Sequence, residues 1–171
     1  FAMCSSLKNV EIGNKVLGIG ESAFSDCTSL TGITIPNSVT SIGKNAFANC
    51  TSVTNVYIGS GVTHIWSGAF DSCAGNLTIN SNLNTNASSE SDGAFCNNKW
   101  SNVIIGEGVT SIGDWAFKDC YQLKSVSLPK SLETIAPEPI PSVNPIACII
   151  DINDNTTFTA PVASCPNPDT K

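Results

Sequence analysis

Apolar and polar positions along this chain alternate in two short phrases that return at a near-constant distance. The first phrase is LTGITI, in which Leu30, Ile33 and Ile35 are apolar, and it is matched by LKNVEI, VTNVYI, WSNVII and LKSVSL. The second is VTSI (Val39, Ile42), matched by VLGI, VTHI, a second VTSI at Val109 to Ile112, and LETI. Pro36-Asn37, Gly59-Ser60-Gly61 or Pro129-Lys130 stands between the phrases, and all three are turn chemistry. Each phrase is too short for an independent element and is rich in β-branched residues, so both read as strands.

The period is set by phenylalanine. Phe1, Phe24, Phe47, Phe70, Phe95 and Phe117 are separated by 23, 23, 23, 25 and 22 residues. One such unit cannot bury its apolar side alone. Stacked units can, with Leu30, Ile33, Ile35, Val39, Ile42, Ala46 and Phe47 lining a continuous interior. The small Ala before each Phe would let a tight turn or a short 3₁₀ segment approach the stack. Parallel pairing follows because every turn of the coil runs in the same sense, with one strand expected near each of Val10, Ile33, Val56, Leu77, Val103 and Val126.

The units close on SIGxxAFxxC, carried by Ile42-Gly43, Ala46-Phe47 and Cys50, and again by Ile112-Gly113, Ala116-Phe117 and Cys120. Together with LxxIxI in place of LxxLxL, this closely resembles the BspA-like, or Treponema-type, leucine-rich repeats of bacterial surface proteins. The resemblance spans roughly residues 1–136. It implies a β-rich leucine-rich-repeat solenoid, curved, with a parallel concave sheet and about six 23-residue repeats. It further implies secretion or display on the cell surface, and an adhesin-like role in binding host matrix or cell-surface protein or glycan.

Two departures mark the register. Trp66 replaces the Gly that follows Ile in other units, and from Phe70 the strand phrase LTI arrives two residues early. The polar stretch NTNASSESDG after Leu83 is four residues longer than its counterpart, so residues 84–93 read as a solvent-facing loop, and Cys96 leaves the cysteine row. After Ile135 the repeat breaks at APEPIPSVNP, whose four prolines cannot continue regular hydrogen bonding. Residues 137–171 are therefore a separate Pro-rich segment, either a cap in which ACIIDI supplies a last strand or a linker and tail.

Composition narrows the chemistry. Only 13% of the 171 residues are charged, about half the usual share. The formal charge of −6 argues against nucleic acid and anionic membrane surfaces, and the apolar runs are too short to insert into a bilayer. No secretory signal is visible at Phe1, which carries no weight in a sequence that opens in mid-repeat.

Cys4, Cys27, Cys50 and Cys73 recur every 23 residues. On coils about 4.8 Å apart they would form a straight row. Zinc instead needs sulfurs converging at about 2.3 Å, and a disulfide needs Cβ atoms about 3.8 Å apart. Buried, reduced and unmetallated thiols are expected, with Cys148 and Cys165 as a candidate pair in the tail. No catalytic motif is present, His64 is the sole histidine, and Glu107, Asp114 and Asp119 show no acid–base spacing, so neither an enzyme nor a cofactor is expected. Asp151, Asn153, Asp154 and Asn155 cluster oxygens of the kind calcium takes, although such clusters are also ordinary turns. Sequons occur at Asn49, Asn76, Asn86 and Asn155.

What remains is surface. Residues flanking the buried Ile of each LxxIxI strand should form two rows on the concave sheet. One runs Asn9, Gly32, Asn55, Asn76, Asn102, Ser125, and the other Glu11, Thr34, Tyr57, Thr78, Ile104, Ser127. Asn9, Glu11, Thr34, Asn55, Tyr57, Thr78, Asn102, Ile104, Ser125 and Ser127 are the candidate binding face, with Tyr57 foremost because a rigid exposed aromatic gives contact area at little entropic cost. Cross-strand packing against Thr34 and Thr78 is its structural alternative. The acidic balance would favour a neutral or basic partner held more weakly at high salt. The competing readings are an architectural spacer presenting another domain and, more remotely, an ancillary domain of a secreted hydrolase.

Overall fold

The computed structural model describes residues 1–82, 95, 98–113, 116–117, 120–135 and 150–151. Its architecture is a parallel β-solenoid. The long sheet has six strands in the order β2 (Gly32–Ile35), β4 (Asn55–Ile58), β6 (Ala74–Ile79), β7 (Lys99–Ile105), β9 (Ser125–Ser127) and β11 (Ile150–Asp151). The second phrase of each unit forms short strands on another side of the coil. These are β1 (Gly18–Ile19), β3 (Ser41–Ile42) and β5 (His64–Ile65) in one sheet, and β8 (Ser111–Ile112) with β10 (Thr134–Ile135) in another. Every pairing is parallel, and LTGITI and SVTSI fall in different sheets, as one coil sense requires.

Val10 is the exception among the expected strand centres. Residues 6–13 form no strand, and their main chain meets the next coil through Thr31 N–H donating to Lys8 O at 3.1 Å. This edge coil has a sheet neighbour on one side only among the described residues, yet Leu7, Val10 and Ile12 still pack against the core. At the other edge β11 places Ile150 opposite Val126 and Asp151 opposite Ser127, so ACIIDI does contribute a strand. The loop at 84–93, Cys96, Cys148, Cys165, the oxygen cluster at 153–155 and the rest of 137–171 lie outside the described residues.

The core is the repeat made solid. Leu30, Ile35, Val39, Ile42, Ala46 and Phe47 have no solvent exposure. Phenylalanine rings form a column from Phe1 to Phe117. Phe24 and Phe47 lie 5.1 Å apart and 3° from parallel, and Phe47 and Phe70 are 5.5 Å apart at 8°. Between Phe70 and Phe95, where the interval lengthens, the rings tilt to 29°. Buried Trp100 stands edge-on to both, at 6.5 and 6.4 Å, and fills the room that the longer unit leaves.

The Ala-Phe segments are turns in which two positions per coil take the left-handed region. Ser22 (φ 53°), Asn45 (55°) and Gly68 (68°) occupy one, and Met3, Asp26, Asn49 and Ser72 (60–63°) the other. Gly, Asn and Asp tolerate that region best, which accounts for most of these residue types. The conformation turns Phe24 and Phe47 N–H forward, onto Ala46 O and Ala69 O at 2.7 Å each. On the long sheet the sense reverses, and Thr31 and Thr54 N–H donate backward, to Lys8 O and Thr31 O. Coil-to-coil bonding thus satisfies main-chain groups on both sides of the solenoid.

The two-residue slip is absorbed at one point. Between β6 and β7 the register shifts at Gly75/Asn76, a bulge. Gly75 has φ 97°, and a Cβ there would run into the carbonyl of Thr54.

Candidate functional site

Register on the long sheet assembles both expected rows. Gly32 pairs with Asn55, Asn55 with Asn76, Asn76 with Asn102 and Asn102 with Ser125. Thr34, Tyr57, Thr78, Ile104 and Ser127 align likewise. The alternating burial of β4, with Val56 and Ile58 inward and Asn55 and Tyr57 outward, sets the pattern. Asn9 and Glu11 are exposed but lie on the edge coil that forms no strand, so they adjoin the face without belonging to its ladder.

The face carries two large apolar bodies, Tyr57 at 43% exposure and Ile104 at 49%. Neither is buried by a neighbour. Thr34 is exposed and Thr78 half-buried beside Tyr57, so cross-strand packing covers part of the ring and leaves the rest in water.

Amides and a hydroxyl link the other row directly. Asn76 Nδ2 donates to Asn55 Oδ1 at 2.9 Å, Asn102 Nδ2 to Asn76 Oδ1 at 2.7 Å, and Ser125 Oγ to Asn102 Oδ1 at 2.7 Å. Asn55 Nδ2 turns to Thr54 Oγ1 at 3.1 Å. Recurrence of Asn at equivalent strand positions was visible in the sequence. The ladder was not, because it depends on side-chain orientation across strands.

Gly32 ends that row without a side chain. Beside it the face sinks into a groove of about 190 Å³ over Ile33 and Val56, walled by Thr34, Asn55, Tyr57, Asn76 and Thr78. The groove is the feature that residue-by-residue reading missed. Its only sequence signal was a glycine in a strand with no turn to make.

The thiols stand elsewhere, inside the coil. Cys27, Cys50, Cys73 and Cys120 form no disulfide and are fully buried, and each Sγ donates to the carbonyl of the Phe one coil earlier. Cys50 reaches Phe24 O at 3.3 Å, Cys73 reaches Phe47 O at 3.4 Å and Cys120 reaches Phe95 O at 3.0 Å. Burial pushes the Cys50 thiol up to about 12, and Cys73 and Cys27 up as well. Cys4 departs from the expectation of burial. It lies on the edge coil with no described coil over it, and is exposed.

On the turn side, the Ser25 hydroxyl (2.7 Å) and then the Asn49 amide (3.0 Å) hold the Asp26 carboxyl below its usual range. Among the described residues no three His, Cys, Asp or Glu side chains gather as a metal site would require. No helix among them is long and apolar enough to cross a membrane.

No curated protein sequence matches the chain. Among solved structures, a leucine rich cell surface protein from Faecalibacterium prausnitzii A2-165 is 30% identical, covering 72% of this chain and 35% of its own, at a TM-score of 0.35. The chain thus spans about a third of that protein's length. The family model for the BspA type leucine rich repeat region matches in six copies over residues 1–91 and 88–159. The chain belongs to the BspA-type leucine-rich-repeat family.

Proposed function

We propose that this chain is a non-catalytic recognition module, secreted or held at a cell surface, that binds host or neighbouring-cell protein or glycan through the solvent face of its long sheet. The observation that carries the reading is Tyr57, a half-exposed aromatic standing over a groove on a face that, Ile104 apart, is made of small polar side chains. A solvated sheet gains nothing from leaving an aromatic and an isoleucine in water, whereas a binding surface gains rigid contact area. The family and the description of the Faecalibacterium protein as a cell surface protein support the location.

The spacer reading has one observation of its own. The ladder from Asn55 to Ser125 spends part of its hydrogen-bonding capacity on itself, as a purely structural row would. The two readings separate by binding of the purified chain to immobilised matrix proteins and glycans. Tyr57→Ala should weaken retention roughly tenfold or more, and Glu90→Ala in the polar insertion should not. Retention lost only with Glu90→Ala would move the site to the insertion, and equal retention by both would favour the spacer.

A further inference from the structure

Gly32 has no structural need to be glycine. Its φ lies outside the left-handed region, and a Cβ would meet nothing nearer than Asn55 O, at an ordinary 3.7 Å. A glycine in a strand interior weakens the strand and often marks a place where something approaches closely. Here it leaves open one end of the groove.

The groove wall is chemically specific. A primary amide offers two N–H donors and two acceptor sites. Asn76 spends one N–H and one acceptor site within the row, and Asn55 one acceptor site there and one N–H on Thr54, so one of each remains on either residue. Beside them stands the flat face of Tyr57. Paired donors and acceptors next to an apolar ring suit a ligand with hydroxyl edges and an apolar face.

Charge decides between ligand classes. None of the ten positions in the two rows from β2 to β9 is charged at neutral pH, although the chain carries a net −6. Ionisable residues lie at the margins, Lys99 at the exposed start of β7 and Glu11 and Lys124 outside the strands. A charged peptide or acidic glycan would lose hydration on this face without gaining an opposite charge. A peptide lying in the groove could not add as a strand either, because β4 and β6 beneath it pair on both sides and the outer edge of β2 faces the coil at residues 6–13, in the sheet plane rather than toward the groove. The volume falls below the usual ~300–1,000 Å³ of drug-sized pockets and suits a single ring.

We propose that the groove between Gly32 and Tyr57 binds a neutral glycan, with one sugar ring on the Tyr57 face, its hydroxyls on Asn55 and Asn76, and Gly32 leaving the ring its space. This rests on the sheet face being the recognition surface, and it replaces the salt-weakened binding expected from overall charge.

The test uses the full 171-residue chain on a surface bearing neutral hexose and N-acetylhexosamine oligomers, with sialylated and sulfated oligomers alongside. Multivalent display compensates for weak single-site affinity. Neutral oligomers should be retained, with less than about a twofold change between roughly 50 and 500 mM salt. Tyr57→Ala and Gly32→Asn should each lower retention about tenfold or more. Gly32→Asn should keep or raise the thermal midpoint, since it adds a rung opposite Asn55, which separates loss of space from loss of fold. Trp66→Ala, an exposed aromatic off this face, should leave retention unchanged. No retention of neutral oligomers, retention confined to charged ones, or full retention by Gly32→Asn would overturn the proposal. If neutral oligomers fail while Tyr57→Ala still abolishes binding to a matrix protein, the glycan assignment falls and the recognition face stands. If neither variant alters binding to any partner, both fall.

Discussion

Phe47→Ala tests the stacked interior most directly. Phe47 is fully buried and lies between two nearly parallel rings, Phe24 at 5.1 Å and Phe70 at 5.5 Å. Truncating a buried Phe costs about 3–5 kcal/mol. Each well-formed aromatic pair adds about 0.5–1.5 kcal/mol beyond burial, so losing both places this variant toward the upper end. Phe1 is 78% exposed and touches one ring, so Phe1→Ala should cost under about 1.5 kcal/mol. The assay is urea unfolding followed by far-UV circular dichroism on both variants and the parent. A small domain is stable by only about 5–15 kcal/mol, so the interior truncation should shift the midpoint far more than the edge one. It should also broaden the transition if the cavity uncouples neighbouring coils. Equal and small shifts for the two variants would show that the column does not carry the core.

Two other perturbations follow from local geometry. Cys4 should react with a thiol reagent at once, while Cys27, Cys50, Cys73 and Cys120 should wait for unfolding, as mass spectrometry after brief labelling would show. The raised Cys50 and Cys73 thiols keep their protons in the folded chain at pH values where the unfolded chain, near 9.0, has lost them. Stability is therefore complete below pH 9 and falls from there toward about 12, by up to about 1.4 kcal/mol per pH unit for each thiol. Cys50→Ala should flatten that slope, and an unchanged slope would refute the assignment. Among glycines, Gly61→Ala should destabilise, because its Cβ would collide with the carbonyl of Asn37. Gly32→Ala should stabilise by about 0.5–1 kcal/mol, and thermal midpoints moving in the same direction would contradict this.

The sequence alone determined the solenoid and its register. A repeated phrase places the same residue type at the same point of every coil, so neighbours in space are neighbours by period. That is why Gly32, Asn55, Asn76, Asn102 and Ser125 could be aligned from spacing, and why Phe47 belonged to a buried column. Even the slip at Phe70 was legible, since Asn55 and Asn76 stand 21 residues apart where the period asks for 23.

Tertiary structure decided what depends on the atoms of the adjacent coil rather than on the period. Gly75 absorbs the slip because only glycine fits against Thr54 there, and Trp100 turns edge-on because two phenylalanines bound its space. Cys4 obeys the spacing of the thiol row yet is exposed, since burial requires a coil on the other side. The groove arises in the same way. Gly32 is an unremarkable letter in a strand phrase, and only its pairing with Asn55, beside an outward Tyr57, turns a missing side chain into space for a ligand.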